Sequence, residues 1–201
     1  MIASVAVGPM DNNTYLIQCT ATGAGLLVDA AAEADRVLAL LGATEPVGVV
    51  TTHRHGDHLG ALAEVLTATG VGSWAGAPDA AAVAAAAGVP LPRPLSDGDR
   101  LTVGALTISV IALRGHTPGS IALAWTDPDD GLTHLVTGDS LFPGGPGRTR
   151  TPEDFRTLMT DLEQRVFARF DDATVVHPGH GLPTTLGAER GSLPDWWARG
   201  W

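Results

Sequence analysis

Lysine is absent, and all 12 cationic side chains are arginine. That removes Schiff-base chemistry and the lysine of phosphate-binding loops in one step. The one cysteine, Cys19, has no internal disulfide partner; it suits a reduced, cytoplasmic setting and reads as a small buried hydrophobe. Positive charge is scarce as well: 12 cations face 22 carboxylates, for a formal net charge of −10. Nucleic-acid affinity comes largely from clustered cations that release counterions, and no basic stripe is visible, so no nucleic-acid partner is expected. Long apolar runs are missing too. The longest, Ala80 to Val89, is alanine-rich and stops at Pro90, far short of the roughly 20 residues of a membrane span. Met1 to Met10 carries no cationic region ahead of an apolar core, so neither an export signal nor a membrane association is expected. What remains is a soluble monomer or homodimer acting on a small molecule.

A chain of 201 residues, 44% of them hydrophobic, reads as one domain over 1–201. It can bury about 70% of its extended surface without help from disulfides or a structural metal, so any metal it binds is free to be catalytic. Short β-branched runs at Ile2–Val7, Thr14–Cys19, Leu26–Asp29 and Val47–Thr51 predict strands. Helical spacing marks Ala32–Leu41, Leu59–Thr69 and Asp79–Ala87, with a short strand at Val71–Trp74. From Arg100 the texture is all strand: Arg100–Val103, Leu106–Leu113, Ser120–Trp125 and His134–Thr137. Pro152–Phe170 is the clearest helix, opened by Thr151, and Thr174–Val176 predicts a last buried strand. Two strand-rich halves, each with helices, imply an α+β fold of two sheets packed face to face with helices outside.

Six of the seven histidines fall in three loops flanked by glycine or aspartate. Thr52-His53-Arg54-His55-Gly56-Asp57-His58 follows a continuous apolar strand; Gly115-His116-Thr117-Pro118-Gly119-Ser120 and His177-Pro178-Gly179-His180-Gly181 follow others. Imidazole and carboxylate together suit zinc, iron or manganese, and no thiolate lies nearby for a closed structural site. His53 and His55, two residues apart in an extended loop, project to one side, whereas Asp57 and His58 begin the next turn and point elsewhere. Two pairs result. Each needs a further ligand, and later strand ends offer His116, Asp139 and His180. Asp139, in Thr137-Gly138-Asp139-Ser140, has two oxygens and is the natural bridge between two cations. His134 reads as a strand-face histidine.

These segments, in this order, resemble the metallo-β-lactamase superfamily, and within it the glyoxalase II (hydroxyacylglutathione hydrolase) branch. The resemblance covers about Asn12 to Glu189 and implies an αββα sandwich of two mixed sheets. It further implies that one ion takes His53, His55 and His116, that the other takes Asp57, His58 and His180, and that Asp139 bridges them. His177 matches no ligand and is expected to orient its loop. Two divalent ions, zinc first with iron or manganese as alternatives, would lower the pKa of a shared water to around 7 and so supply a hydroxide nucleophile, with Asp57 holding its proton.

Thioesters suit this chemistry, because a thiolate with a free pKa near 8.5 departs without a strong general acid. Lactam hydrolases of the superfamily that use a cysteine ligand need a thiol in a later loop, and Cys19 lies upstream of the first motif. The lysine they use to bind a carboxylate has no counterpart here. An acidic surface opposes the nuclease branch. The chain ends 21 residues after His180, without the helical carboxy-terminal region that supplies cations to glutathione in eukaryotic-type glyoxalase II. Ser192–Trp201, with Trp196, Trp197 and Trp201, is expected to cap the fold, pad the pocket mouth or join two subunits. Arg148 and Arg150 are candidates for a substrate carboxylate. A lactonase, a mononuclear-iron persulfide dioxygenase using His53 or a near equivalent, His116 and Asp139, and a non-catalytic metal-binding protein are the alternatives. The last would carry a broken ligand set, and this one is intact.

Overall fold

The structure is a computed structural model and describes residues 1–200. Six strands form the first sheet in their chain order: β1 (Ile2–Val7), β2 (Asn12–Gln18), β3 (Ala24–Val28), β4 (Glu45–Thr51), β5 (Ser73–Gly76) and β6 (Arg93–Leu95). Pairing is antiparallel from β1 to β3 and parallel from there to β6. The second sheet is built from β7 (Arg100–Val103), β8 (Leu106–Ala112), β9 (Ile121–Thr126), β10 (Thr133–Gly138), β13 (Val175–Pro178) and β14 (Thr184–Thr185). Its spatial order is β14-β13-β10-β9-β8-β7, with only β10 and β13 parallel. Between β10 and β13 the chain makes a small hairpin of β11 (Leu141–Phe142) and β12 (Gly145–Pro146).

The two-residue period of a strand sorts the apolar residues into layers. Ile17, Leu26, Val28 and Val50 face Ile108, Val110, Leu123 and Val136 of the other sheet and form the central core. Their neighbours Leu16, Leu27 and Val49 point outward, against α1 (Ala34–Leu41), α2 (Leu62–Thr69) and α3 (Ala80–Ala87). On the far side Ala122, Ala124 and Leu135 meet Phe155, Leu158 and Leu162, the apolar face of α4 (Pro152–Asp161) and the turn beyond it. The result is the αββα sandwich expected from the sequence. No helix among the described residues is long and apolar enough to cross a membrane.

Boundaries moved in physically legible ways. The helix expected from Leu59 begins at Leu62, because Gly56–His58 form a 3-10 turn that carries the first motif. The helix expected to run to Phe170 is α-helical only to Asp161 and widens into a π-helical stretch over Leu162–Phe167. Strand β6 contains Pro94, which cannot donate to a ladder and is tolerated because the strand lies at the sheet edge. After β14 come two short helices, α5 (Leu186–Arg190) and α6 (Leu193–Arg199). Trp196 on α6 is buried against Phe167, and Trp197 meets Phe155 edge-on while donating its indole N–H to Glu163 at 2.7 Å. The tryptophans therefore cap the second sheet's helical layer; Trp201 lies outside the described residues.

Thr151 opens α4 as expected. Its hydroxyl accepts from the Asp154 amide at 3.1 Å and donates to the Asp154 carboxylate at 2.7 Å. Thr151→Ala is expected to cost about 1 kcal/mol, lowering Tm by about 2–4 °C in a chain of this size. Thr151→Ser should keep most of that stability in the same thermal melt. Equal melting of the alanine variant and the parent would rule out the cap.

Candidate metal centre

All four histidine- and aspartate-bearing segments emerge at one edge of the sandwich. β3 and β4 run parallel, as do β10 and β13, and β8 is separated from β10 by one antiparallel strand, so within each sheet these strands release their chains at one end, and the contacts among the histidines bring the two ends together. Open α/β sheets place ligand sites at such ends. The seven residues singled out from the sequence converge there. The donor nitrogens of His53, His55 and His116 lie within 4.8 Å of one another, and so do the donor atoms of Asp57, His58 and His180. Asp139 sits between the two groups: its Oδ2 is 3.9 Å from His53 Nε2, 3.6 Å from His116 Nε2 and 3.6 Å from His180 Nε2, while its Oδ1 is 3.4 Å from His58 Nε2.

Hydrogen bonds outside the cluster fix which nitrogen of each ring faces inward. His116 Nδ1–H donates to the Arg148 carbonyl at 2.7 Å and His180 Nδ1–H to the Met10 carbonyl at 2.9 Å. A carbonyl can only accept, so the proton belongs on Nδ1 and Nε2 turns to the centre. The same logic holds for His58, whose Nδ1 is 2.9 Å from Asp29 Oδ2. Thr52 donates its hydroxyl to Asp29 at 2.7 Å and accepts from His53 Nδ1–H at 3.0 Å. Four imidazoles are thus anchored at Nδ1 with Nε2 aimed at Asp139. His55 contributes Nδ1 instead, which faces His116 Nε2 at 2.9 Å.

Three buried polar atoms at this point have no hydrogen-bond partner: His53 Nε2, His58 Nε2 and Asp139 Oδ1. Unpaired buried polar atoms are costly and rare, and here they are aimed at one another across distances too long for good hydrogen bonds. A nitrogen and oxygen donor set of this kind accommodates divalent cations. Asp29, His53 and His58 also come within 4.8 Å. Asp29 already accepts from the Thr52 amide, the Thr52 hydroxyl and His58, which makes it the support for the two imidazoles.

Charge follows the same arrangement. Burial first, and then the charge of His58, holds His53 well below the ordinary imidazole value. His55 and His116 are likewise lowered, chiefly by burial. Burial works to raise Asp139 and is outweighed by the polar contacts with His180 and His58 and by the charge of His58, which hold it far below the usual carboxylate range.

Three supporting residues escape a reading of the motifs alone: Asp29, Asn12 and Asp79. Asn12 donates its side-chain N–H to Asp57 Oδ2 at 2.8 Å. The buried Asp79 accepts from the Arg54 amide, the Thr117 hydroxyl and the Gly119 amide, tying the first histidine loop to the second. The motif glycines have a steric role: a Cβ on Gly179 would collide with Asp139 Oδ1 and with His58, and one on Gly138 with Thr52. His177 stands apart from the cluster. Its Nε2 pairs with His134 Nδ1 at 3.0 Å, and His134 in turn reaches Asp130 at 3.0 Å. Arg148 and Arg150 border a cavity that begins at His55 and His116.

A hydroxyacylglutathione hydrolase of Anaeromyxobacter dehalogenans (strain 2CP-C) is 36% identical over 175 residues, which are 85% of this chain and 61% of the relative. The chain therefore spans about three fifths of that hydrolase's length. The crystal structure of TTHA1623 in a di-iron-bound form matches with a TM-score of 0.75 at 32% identity, covering 96% of this chain and 100% of the other. That of ETHE1 from Myxococcus xanthus matches with a TM-score of 0.81 at 26% identity over 96% and 83% of the two chains. The family model of the metallo-β-lactamase superfamily matches residues 7–180, a span that contains every residue of the cluster, and the chain belongs to that superfamily.

Proposed function

We propose that the chain is a dinuclear-metal hydrolase of small acyl-thioesters. The observation that carries this reading is the set of four Nδ1-anchored imidazoles converging on one carboxylate, two on each side of Asp139. His53, His55 and His116 would hold one ion, Asp57, His58 and His180 the other, with Asp139 shared; zinc, iron and manganese all suit these donors. Two such ions supply Lewis acidity and a water activated at neutral pH. The chain's own residues do the rest. Asn12 fixes Asp57 through Oδ2, leaving Oδ1 to take the proton of the attacking water. Arg148 and Arg150 receive a carboxylate of the substrate. The likeness to hydroxyacylglutathione hydrolase supports a thioester over a lactone or a persulfide. The test is a panel of acyl-thioesters, homoserine lactones and a persulfide, assayed with metal-loaded protein against an Asp139→Asn control. Highest kcat/KM on a thioester is expected; a lactone preferred over every thioester, or oxygen uptake on the persulfide with one iron per chain, would overturn the reading.

Proton release accompanies this assignment. Burial works to lower His58, but the charge of Asp29, the close approach of the Asp139 carboxylate and the hydrogen bond to Asp29 outweigh it and push the group up to about 10. At neutral pH the ion-free imidazole therefore carries a second proton, on Nε2, which a cation must displace. Affinity should fall by up to about tenfold for each pH unit below 10. Titration calorimetry of chelator-treated protein, in two buffers of different ionisation enthalpy, is expected to show at least one proton released on binding and weaker binding at pH 6 than at pH 8. Equal affinity at both values would remove His58 from the ligand set.

A further inference from the structure

The two halves of the cluster draw their support from different parts of the chain. On one side His53 rests on Thr52, His116 on the Arg148 carbonyl, and Asp79 ties their loops together. On the other side the holding is done by the turn that joins β1 to β2. The Met10 carbonyl accepts from His180 Nδ1–H at 2.9 Å, Asn12 donates to Asp57, and Asn12 also forms an isolated bridge with His180. Asn13 adds three bonds. Its main-chain N–H donates to the Gly179 carbonyl at 2.7 Å, and its side-chain amide donates to the Pro178 carbonyl at 3.0 Å and to the Gly181 carbonyl at 2.9 Å. A primary amide has two hydrogens to give, and here both go to carbonyls that bracket His180. The buried Tyr15 donates its hydroxyl to the same Pro178 carbonyl at 2.7 Å and so holds only one side of His180. Burial explains why such a brace is needed. The side chains of His53 and His58 are 1% and 0% exposed and are fixed by packing, whereas that of His180 is 25% exposed and depends on the backbone that carries it.

We infer that Asn13 is the positioning residue for the second ion: it fixes the backbone on both sides of His180, and its removal turns a two-ion centre into a one-ion centre. The inference rests on the dinuclear reading for the word ion, and on the hydrogen bonds alone for the hold on the His180 loop. No bond from Asn13 reaches the loops of His53, His55 or His116, so the first ion should be indifferent to it. The expected loss at the second position is about 10–100-fold in affinity, the scale for removing a group that orients a ligand.

The experiment titrates chelator-treated protein with manganese and follows electron paramagnetic resonance. Two manganese ions sharing one carboxylate couple magnetically and lose the six-line spectrum of an isolated ion. The parent should pass from six lines to the coupled spectrum as the second ion enters. Asn13→Ala should bind the first ion within about twofold of the parent and keep six lines where the parent is already coupled. Tyr15→Phe, which removes a buried bond to the same loop, should melt below the parent yet reach the coupled spectrum, so a merely structural loss is told apart. A coupled spectrum at parental affinity in Asn13→Ala, an equal weakening of both ions, or the same loss in Tyr15→Phe overturns the inference. Amide exchange of the ion-free protein tests the hold directly. The Gly179 amide, which donates to Gly138 at 2.8 Å, should exchange at least tenfold faster in Asn13→Ala, while the Leu113 amide, which donates to Ser120 at 2.9 Å, is unchanged. Asn13→Ser, with one hydrogen to give, supplies both readouts should the alanine variant not fold, and is expected to shift them the same way by less. If the parent never takes a second ion, the dinuclear reading falls and the Gly179 exchange decides the role of Asn13. If that exchange is unchanged while the parent couples two ions, the inference falls and the dinuclear reading stands.

Discussion

If the proposed dinuclear site holds, Asp139→Asn is expected to reduce kcat/KM for thioester hydrolysis by about 10³-fold or more, the scale for removing a ligand shared by both ions. The reason lies in its position. Among the described residues, Asp139 is the one carboxylate within 4 Å of the Nε2 atoms of His53, His58, His116 and His180 together. An amide of the same shape keeps one carbonyl oxygen but turns two N–H donors toward imidazole nitrogens, which can no longer share one anion. Two outcomes should be separable in a single preparation. Elemental analysis should show fewer than two ions per chain. Melting of chelator-treated protein should also fall, because His180 and His58 favour the ionised carboxylate in the fold and an amide cannot replace that charge. Full activity with two ions bound would show that Asp139 is not the shared ligand.

The contrast between what was legible in the sequence and what was not follows from range. The cluster residues are legible because each lies in a short loop after a strand, and the local sequence alone shows histidine, aspartate and glycine crowded together. The layers of the sandwich are legible for a similar reason: the alternation of Leu16 with Ile17, and of Leu26 with Leu27, sorts side chains to opposite faces with no knowledge of their partners. Arg199 is not legible, since its arrival at the cavity beside His55 and His116 depends on how Trp196 and Trp197 seat α6 on a neighbouring helix. The hairpin of β11 and β12 hides in a run of glycine and proline that reads as loop. Nor does any local pattern announce the π-helical stretch after Asp161, whose carboxylate holds both Arg114 and Arg165.

Asp29 is the most consequential of the residues that local patterns miss, and Asp29→Ala is expected to destabilise the protein by roughly 3–5 kcal/mol, the range for breaking a buried charged network. It sits 23 residues before Thr52 in the chain, and only the parallel register of β3 with β4, Val28 beside Val50, brings the two together. The carboxylate is buried and accepts three bonds, from the Thr52 amide at 2.7 Å, the Thr52 hydroxyl at 2.7 Å and His58 Nδ1 at 2.9 Å. Alanine strands all three donors, and it must also adopt φ 57°, a left-handed conformation that costs about 1 kcal/mol more. Melting in the presence of chelator should fall by roughly 10 °C, at the 2–4 °C per kcal/mol of a chain this long. Asp29→Asn separates the support from the fold. Asparagine tolerates the backbone conformation and can still accept from the Thr52 amide through Oδ1, but with its amide N–H in place of Oδ2, toward His58, it forces Nδ1 to accept, which places the imidazole proton on Nε2. That is the nitrogen assigned to the cation. The asparagine variant should therefore melt closer to the parent while losing about 10–100-fold in cation affinity, the scale set by removing the group that orients a ligand. Competition with a chelating dye measures that loss. A variant that binds cations as tightly as the parent would show that Asp29 does not set the ring's tautomer.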